Sequence, residues 1–475
     1  MTLPNGWEIV VGLEVHTELK TASKMFCGCA NSFGAEPNTN ICPVCLGLPG
    51  ALPVLNERAV ELAMAIGMAL HSTIAPSTFH RKNYFYPDMP KDFQISQYDL
   101  PINVGGHLDL PDASRVSIER AHLEEDTGKS THLGGTGRLQ GADRSLVDYN
   151  RSGVPLVEIV SGPDIRSSAQ ARAYAQELRG ILIATGASDG RMEEGSMRID
   201  ANVSIRQADA PFGTRCEIKN LNSLRSLQRA IDYEALRQVE LLDGGGTVRQ
   251  ETRHWDELRG ETSTTRVKED ADDYRYFREP DLVDLAPSQS WQDRVRAGLP
   301  PMPAERRKKL AARLSDPTPA QLDAVEVVID LGLDELVERA VDGGADVTLA
   351  ISRAANELAA SIDQVKNFSS ESYTATLLME QQGELSATQA KTVLAELLLH
   401  GGDPHDVARE MGFEQLSSSS LGATVAALIQ EHPDEWSRYR DGDEKLEQFF
   451  IGQVMKLTKG QANGKSVVAE LQARR

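Results

Sequence analysis

Ala121 to Lys129 reads AHLEEDTGK and sets a histidine and three carboxylates, His122, Glu124, Glu125 and Asp126, within five consecutive residues. Like charges this close repel and raise one another's pKa, so such a cluster is either splayed into solvent or gathered round a cation. A second stretch favours the cation. In VVGLEVHTEL, residues 10 to 19, Glu14 and His16 stand two apart in a β-branched run. The two-residue period of a strand turns both to one face and Val15 to the other. His122 and Glu124 repeat the spacing. Two strands that each offer His and Glu on one face suit hard divalent cations, which prefer carboxylate oxygens and keep positions open for phosphate. In PLVEIV, Glu158 is flanked by Leu156, Val157, Ile159 and Val160. A carboxylate in such a strand is seldom left unpaired, so Glu158 is assigned to the same cluster.

Working outward, MRIDANVSIR alternates without a miss, with Arg198, Asp200, Asn202, Ser204 and Arg206 on one face and Met197, Ile199, Ala201, Val203 and Ile205 on the other. So ordered a polar face is either wet or the floor of a polar cleft. CEIKNLNS then brings Glu217, Lys219, Asn220 and Asn222 to the start of a helix, whose N-terminus suits phosphate. Two familiar nucleotide motifs fail. DTGKS ends like a phosphate-binding loop, but the required first glycine is Leu123; GGTGRLQG lacks the last glycine of a dinucleotide fingerprint, which is Gln140.

Between the Glu14/His16 strand and the next helix lie Cys27 and Cys29, then Cys42 and Cys45 around Pro43. Two short turns that each present two thiols make a closed tetrahedral sulfur site, which suits a structural Zn²⁺. Cys216 reads as a buried core thiol. Asn56 to Leu70 and Ser167 to Thr185 read as helices, the first capped by Asn56. Residues 79 to 102 interleave six aromatics with Arg81, Lys82 and Lys91, which fits either a platform that stacks a base or lines a passage, or a loop packed on its own domain.

The chain of 475 residues exceeds one core. Three parts are expected: a sheet-based domain over 1–295 that carries the site and the cysteine loop, an all-helical domain over 296–403, and a small helical tail over 404–475, an α+β organisation. The tail's best helix is Glu444 to Lys459, with Leu446, Phe450, Val454 and Leu457 on one stripe and Gly460 after it. The net charge of −20 counts against nucleic acid if it is spread evenly. It is not: Phe449 to Arg475 carries Lys456, Lys459, Lys465, Arg474 and Arg475 against Glu470 alone. No apolar run approaches ~20 residues. MTLPNGWEIV has neither the basic flank nor the apolar stretch of a signal peptide, so a cytoplasmic chain is expected.

Together VVGLEVHTELK, the two cysteine pairs, FGAEPN, RKNYFYPDMPK, QISQYDLPI, EEDTGKSTH, DYNRSGVPLVEIVSGPD, EEGSMRIDANVSIR, EIKNLNS, DDYRYFREPDL and IGQVMKLTKGQAN resemble the GatB family, the B subunits of bacterial aspartyl/glutamyl-tRNA amidotransferases, along the whole chain. The resemblance implies a catalytic cradle, a helical domain and a tail that touches tRNA. It implies ATP-dependent conversion of Glu-tRNA(Gln) to Gln-tRNA(Gln) and of Asp-tRNA(Asn) to Asn-tRNA(Asn). Its ammonia comes from a glutaminase, the A subunit, which a small C subunit joins to this one. Carried over by motif, Glu14, His16, Glu124, Glu125 and Glu158 are the expected Mg²⁺ ligands and catalytic set. Cys27, Cys29, Cys42 and Cys45 are the zinc ligands, and Lys82, Arg198, Asp200, Asn202, Lys219 and Asn220 are candidates for nucleotide, substrate and passage contacts. A non-catalytic, zinc-stabilised tRNA-binding protein is the alternative. ATP turnover that depends on Mg²⁺ and aminoacylated tRNA separates the two.

Overall fold

The structure is a computed structural model, and it describes residues 2–134, 141–267, 274–365, 368–413, 418–458, 462 and 464–475. Residues 135–140 of GGTGRLQG and part of DDYRYFREPDL therefore fall outside the described residues, as do Lys459 and Gly460. The chain forms two compact units, Met1–Ala304 and Glu305–Arg475.

The first unit is built on a mixed sheet of 13 strands. Its main path uses β1 (Trp7–Glu18), β2 (His80–Asn83), β3 (Phe93–Ser96), β4 (Arg115–Glu125), β5 (Pro155–Ser161), β6 (Met197–Gln207), β7 (Cys216–Leu221), β8 (Glu251–Asp256), β9 (Glu261–Val267) and β10 (Phe277–Arg278), in the order β9-β8-β7-β6-β1-β5-β4-β3-β2-β10. Neighbours are antiparallel except β7 and β8, because a helix intervenes between them and a crossover returns the chain in the same direction. β1 lies in the middle, and its Ile9, Val11, Leu13 and Val15 are buried while Glu14, His16 and Glu18 face the other way.

Three helices seal the apolar face: α1 (Glu57–Ala69), α2 (Ser168–Ala184) and α3 (Leu224–Asp243). Each starts as its sequence dictates. Asn56 Oδ1 accepts from the amides of Arg58 and Ala59, Ser167 Oγ from Gln170 and Ser223 Oγ from Ser226, satisfying donors that the first helical turn leaves open. Composition alone ends this unit at 295. The structure carries it to Ala304, because α4 (Gln289–Ala297) folds back on α1, with Trp291 Nε1 donating to Glu61 Oε1 at 3.3 Å.

The second unit is helical and holds three apolar clusters. One runs across residue 403, since Val407 and Ala408 pack with Met379, Leu385, Ala390, Val393 and Leu397. Another gathers Leu421, Val425, Leu428, Tyr439, Phe450, Val454, Val467 and Leu471. The expected Glu444 to Lys459 helix spans Lys445–Leu457. Phe450 and Val454 are buried as its stripe requires, but Leu457 is exposed. No helix among the described residues is long and apolar enough to cross a membrane.

Candidate functional site

The polar face of the sheet is opposite the helices, and its centre is where β4, β5, β1, β6 and β7 lie side by side. Register brings the chemistry together: His16 faces Glu158 on one neighbour and Arg198 on the other, Glu14 faces Asp200, and Glu158 faces His122. Donor atoms of His16, Glu124 and Glu158 lie within 4.8 Å of one another, and so, separately, do those of Glu14, Asp200 and Glu217. His16 Nε2 is 3.7 Å from Glu124 Oε1 and 3.7 Å from Glu158 Oε2, and His122 Nε2 is 3.3 Å from the same Glu158 oxygen.

The two carboxylates of the first trio are driven apart in acidity. Burial and the charge of Glu158 raise Glu124 above the usual carboxylate range. Burial alone would raise Glu158 too, but the charge and hydrogen bond of His122, with His16 beyond, outweigh it and hold Glu158 well below that range. At the rim, Glu18 is pushed up to about 7 by burial and by the charge of Asp126. Asp126 in turn pairs with Arg198 at 2.8 Å and Arg151 at 3.6 Å. Lys219 sits 2.6 Å from Asp200 and 3.2 Å from Glu217. Burial opposes its charge, yet these two carboxylates keep it protonated beyond the ordinary lysine range.

Two cavities open along this face. The larger, about 980 Å³, is lined among others by His16, Lys82, Tyr84, Glu124, Asp126, Glu158, Arg198, Asp200, Lys219 and Asn220. The smaller, about 390 Å³, is lined by Gly12, Glu14, Ser161, Asn202, Ser204, Phe212 and Arg215 among others. Glu14 borders the smaller and Asp200 the larger, so the Glu14–Asp200–Glu217 trio lies between them. Asn202 Nδ2 holds Glu14 Oε1 at 2.9 Å. Asn220, in a left-handed conformation with φ 69°, donates to Trp255 O at 2.9 Å.

One expected ligand is not brought in. Glu125 follows Glu124 on a strand and therefore points through to the opposite face, where it is 1 % exposed. There it pairs with Lys91 Nζ at 2.5 Å and accepts from the Ile95 amide at 2.8 Å. It joins neither trio. Glu217 and Asp200, read from the sequence as parts of a phosphate-suited helix start and of a polar face, stand instead as candidate metal ligands beside Glu14. The alternation of Glu217 and Lys219 in CEIKNL carried the signal, since both turn to the polar face beside Asp200. The failed phosphate loop is explained as well: after DTG the chain enters the strand Lys129–Leu133 and no helix follows.

On the apolar side, the loop between β1 and α1 brings the Sγ atoms of Cys27, Cys29, Cys42 and Cys45 within 4.8 Å of one another, with all four thiols free of disulfides. Cys42 and Cys45 Sγ are 3.9 Å apart, against about 3.8 Å between sulfurs of a tetrahedral site with ~2.3 Å metal–sulfur bonds. Hydrogen bonds from Cys27 and from the Cys42 amide pull Cys45 down to about 5 against its burial. Cys216 is fully buried, as its sequence context implies.

Known proteins share this sequence at length. Residues 9–293 match the family pattern described as GatB/GatE catalytic domain, and residues 335–474 match a GatB domain. A protein of Frankia casuarinae, named as the B subunit of the aspartyl/glutamyl-tRNA(Asn/Gln) amidotransferase, is 50 % identical over 491 residues, which cover 97 % of this chain and 94 % of that one. Proteins of the same name from Mycolicibacterium smegmatis and Moorella thermoacetica are 48 % and 45 % identical over 97 % and 96 % of this chain, and 94 % and 97 % of their own lengths.

Proposed function

Because the chain belongs to the GatB family of aspartyl/glutamyl-tRNA(Asn/Gln) amidotransferase B subunits, we propose that it amidates misacylated tRNA at the expense of ATP. The side-chain carboxylate of Glu-tRNA(Gln) or Asp-tRNA(Asn) attacks the γ-phosphorus, and ADP leaves. Ammonia then attacks the acyl carbon of the resulting acyl phosphate, phosphate departs, and the nitrogen gives up a proton. The ammonia comes from the glutaminase, the A subunit, to which a small C subunit is bound. The observation that carries this reading is the pair of acidic trios on one sheet face, with the second between the two cavities.

The contacts of His16 fit a shared Mg²⁺. Two oxygens or nitrogens that both touch a Mg²⁺ lie at most about 4.2 Å apart, and His16 meets Glu124 and Glu158 at 3.7 Å each. Bound there and at Glu14, Asp200 and Glu217, the ions would neutralise the facing anions and orient the phosphoryl group. The smaller cavity, lined by Phe212 and Glu14 among others, would hold the nucleotide. The aminoacyl end enters the larger one. Lys219 and Arg198 offer charge to the transferring phosphoryl group, and His122 keeps Glu158 ionised for its trio. The spacing of the four cysteines supports a structural Zn²⁺ outside the reaction.

The test is an amidation assay on both misacylated tRNAs, with and without the A and C subunits. The reading expects amide formation only with ATP, Mg²⁺ and all three chains. Absence of tRNA-dependent ATP cleavage in the full complex would overturn it.

A further inference from the structure

An aromatic wall adjoins the larger cavity, which it reaches through Tyr84. Five of the chain's ten tyrosines, Tyr84, Tyr86, Tyr98, Tyr274 and Tyr276, gather around β2, β3 and β10 at the sheet's edge. Tyr98 and Tyr276 stack with ring centroids 4.0 Å apart and planes 8° apart, and Tyr84 and Tyr86 stack at 4.5 Å and 27°. Tyr274 meets Tyr276 edge-on at 6.1 Å, and Lys82 Nζ lies 4.6 Å above the Tyr274 ring.

The wall is continuous with the carboxylate site. Lys82 and Tyr84 line the same cavity as Glu124 and Glu158. After burial, the charges of those two carboxylates are what raise the Tyr276 phenol above its ordinary range. Nor is the wall closed off: Tyr98 and Tyr86 are each 46 % exposed, and Phe85 between the stacked tyrosines is 67 % exposed. Rings packed only to fill a core are not left open in this way.

We propose that this wall positions the unpaired 3′-terminal nucleotides of the tRNA, whose bases stack on the open faces of Tyr98 and Tyr86 with Lys82 meeting the backbone charge. The inference rests on reading the cavity as the aminoacyl site. The cavity is lined by six carboxylates against Lys82, Arg198 and Lys219, so grip at the reacting end has to come from contacts that do not depend on a basic surface. Stacking supplies such a contact and is indifferent to base identity. It suits a 3′ end that two different misacylated tRNAs would present alike.

The test uses the complete complex with its partner subunits. Tyr98→Ala and Tyr86→Ala should each raise KM for misacylated tRNA by about 5- to 150-fold, the range that loss of one stacked base implies. KM for ATP should stay constant, and Tyr98→Phe and Tyr86→Phe should restore the tRNA value. A rise in KM for ATP instead would assign the wall to the nucleotide's adenine. Unchanged KM for both substrates would make it packing alone. Either result overturns the proposal while leaving the amidation reading intact, and that reading fails only if the wild-type complex forms no amide. A second measurement needs no substitution: tRNA ending in 2-azidoadenosine, photolysed on the wild-type complex, should label the peptides bearing Tyr98 or Tyr86. Label confined to other peptides would overturn the assignment.

Discussion

Glu124 and Glu125 are consecutive in the chain, yet they answer to different chemistry because a strand sends them to opposite faces. Glu124 belongs to the His16–Glu158 trio, so Glu124→Gln should leave the fold intact and lower tRNA-dependent ATP cleavage by about 10²- to 10³-fold. Glu125 balances the buried Lys91, whose side chain is 6 % exposed. Glu125→Gln leaves that ammonium without a counter-charge and should cost about 3–5 kcal/mol of stability. Melting curves and turnover measured on both variants check the contrast, which would reverse if Glu125 were the ligand. A third carboxylate gives a pH signature. Burial would raise Glu234, but hydrogen bonds from Arg237 and Gln238 and the charges of Arg237 and Arg253 outweigh it and hold the group below its ordinary value. A depressed carboxylate stabilises the fold above the unfolded pKa near 4.5 and loses that contribution as pH falls through the folded value. The melting temperature of Glu234→Gln should therefore depend less on pH below about 4.5 than that of the wild type, as well as being lower at pH 7.

Among the elements, those whose pattern is local were legible. β1 and β6 alternate as written, α1 begins at the cap that Asn56 announces, α2 lies within the Ser167 to Thr185 span its pattern marks, and the cysteine pairs converge as their spacing requires. What escaped was non-local. Charge density in EED read as one cluster because composition ignores the pleat, and the tyrosine wall joins Tyr98 to Tyr276 across a separation that no periodicity spans. The cysteine loop is an element with its own test. It should hold one zinc per chain by elemental analysis of protein purified under reducing conditions. Cys27→Ser or chelation should lower stability by several kcal/mol, about what a lost structural metal costs. The loop also seats Lys91. Gly47 has φ 66°, and a Cβ there would stand 2.3 Å from Lys91 Cβ, so Gly47→Ala should destabilise the protein even with zinc bound.

At the scale of the molecule, the second unit's apolar clusters say where it can be cut. Ending the chain at 403 strips Val407 and Ala408 from the cluster they share with Leu385 and Val393, whereas ending it at 413 removes only the bundle around Phe450. The chain cut at 413 should stay folded by circular dichroism yet bind tRNA more weakly. The deficit should narrow as salt rises if the lost contacts are to phosphate. Equal binding at low salt would show that the basic end does not reach tRNA. The bulge at Glu119 of β4, the extra residue between Ile118 and Arg120 where they face Ser161 and Val160, carries a different kind of consequence. From Arg120 onward, the pairing of β4 with β5 fixes which member of each neighbouring pair faces the trio of His16, Glu124 and Glu158. A gain or loss of one codon between Glu119 and Glu124 would exchange the carboxylate of the His16–Glu158 trio for the buried counter-ion, while a gain or loss of two would preserve the parity. Lineages of this protein should therefore accumulate substitutions along this strand freely where packing allows, and vary its length in even steps or not at all.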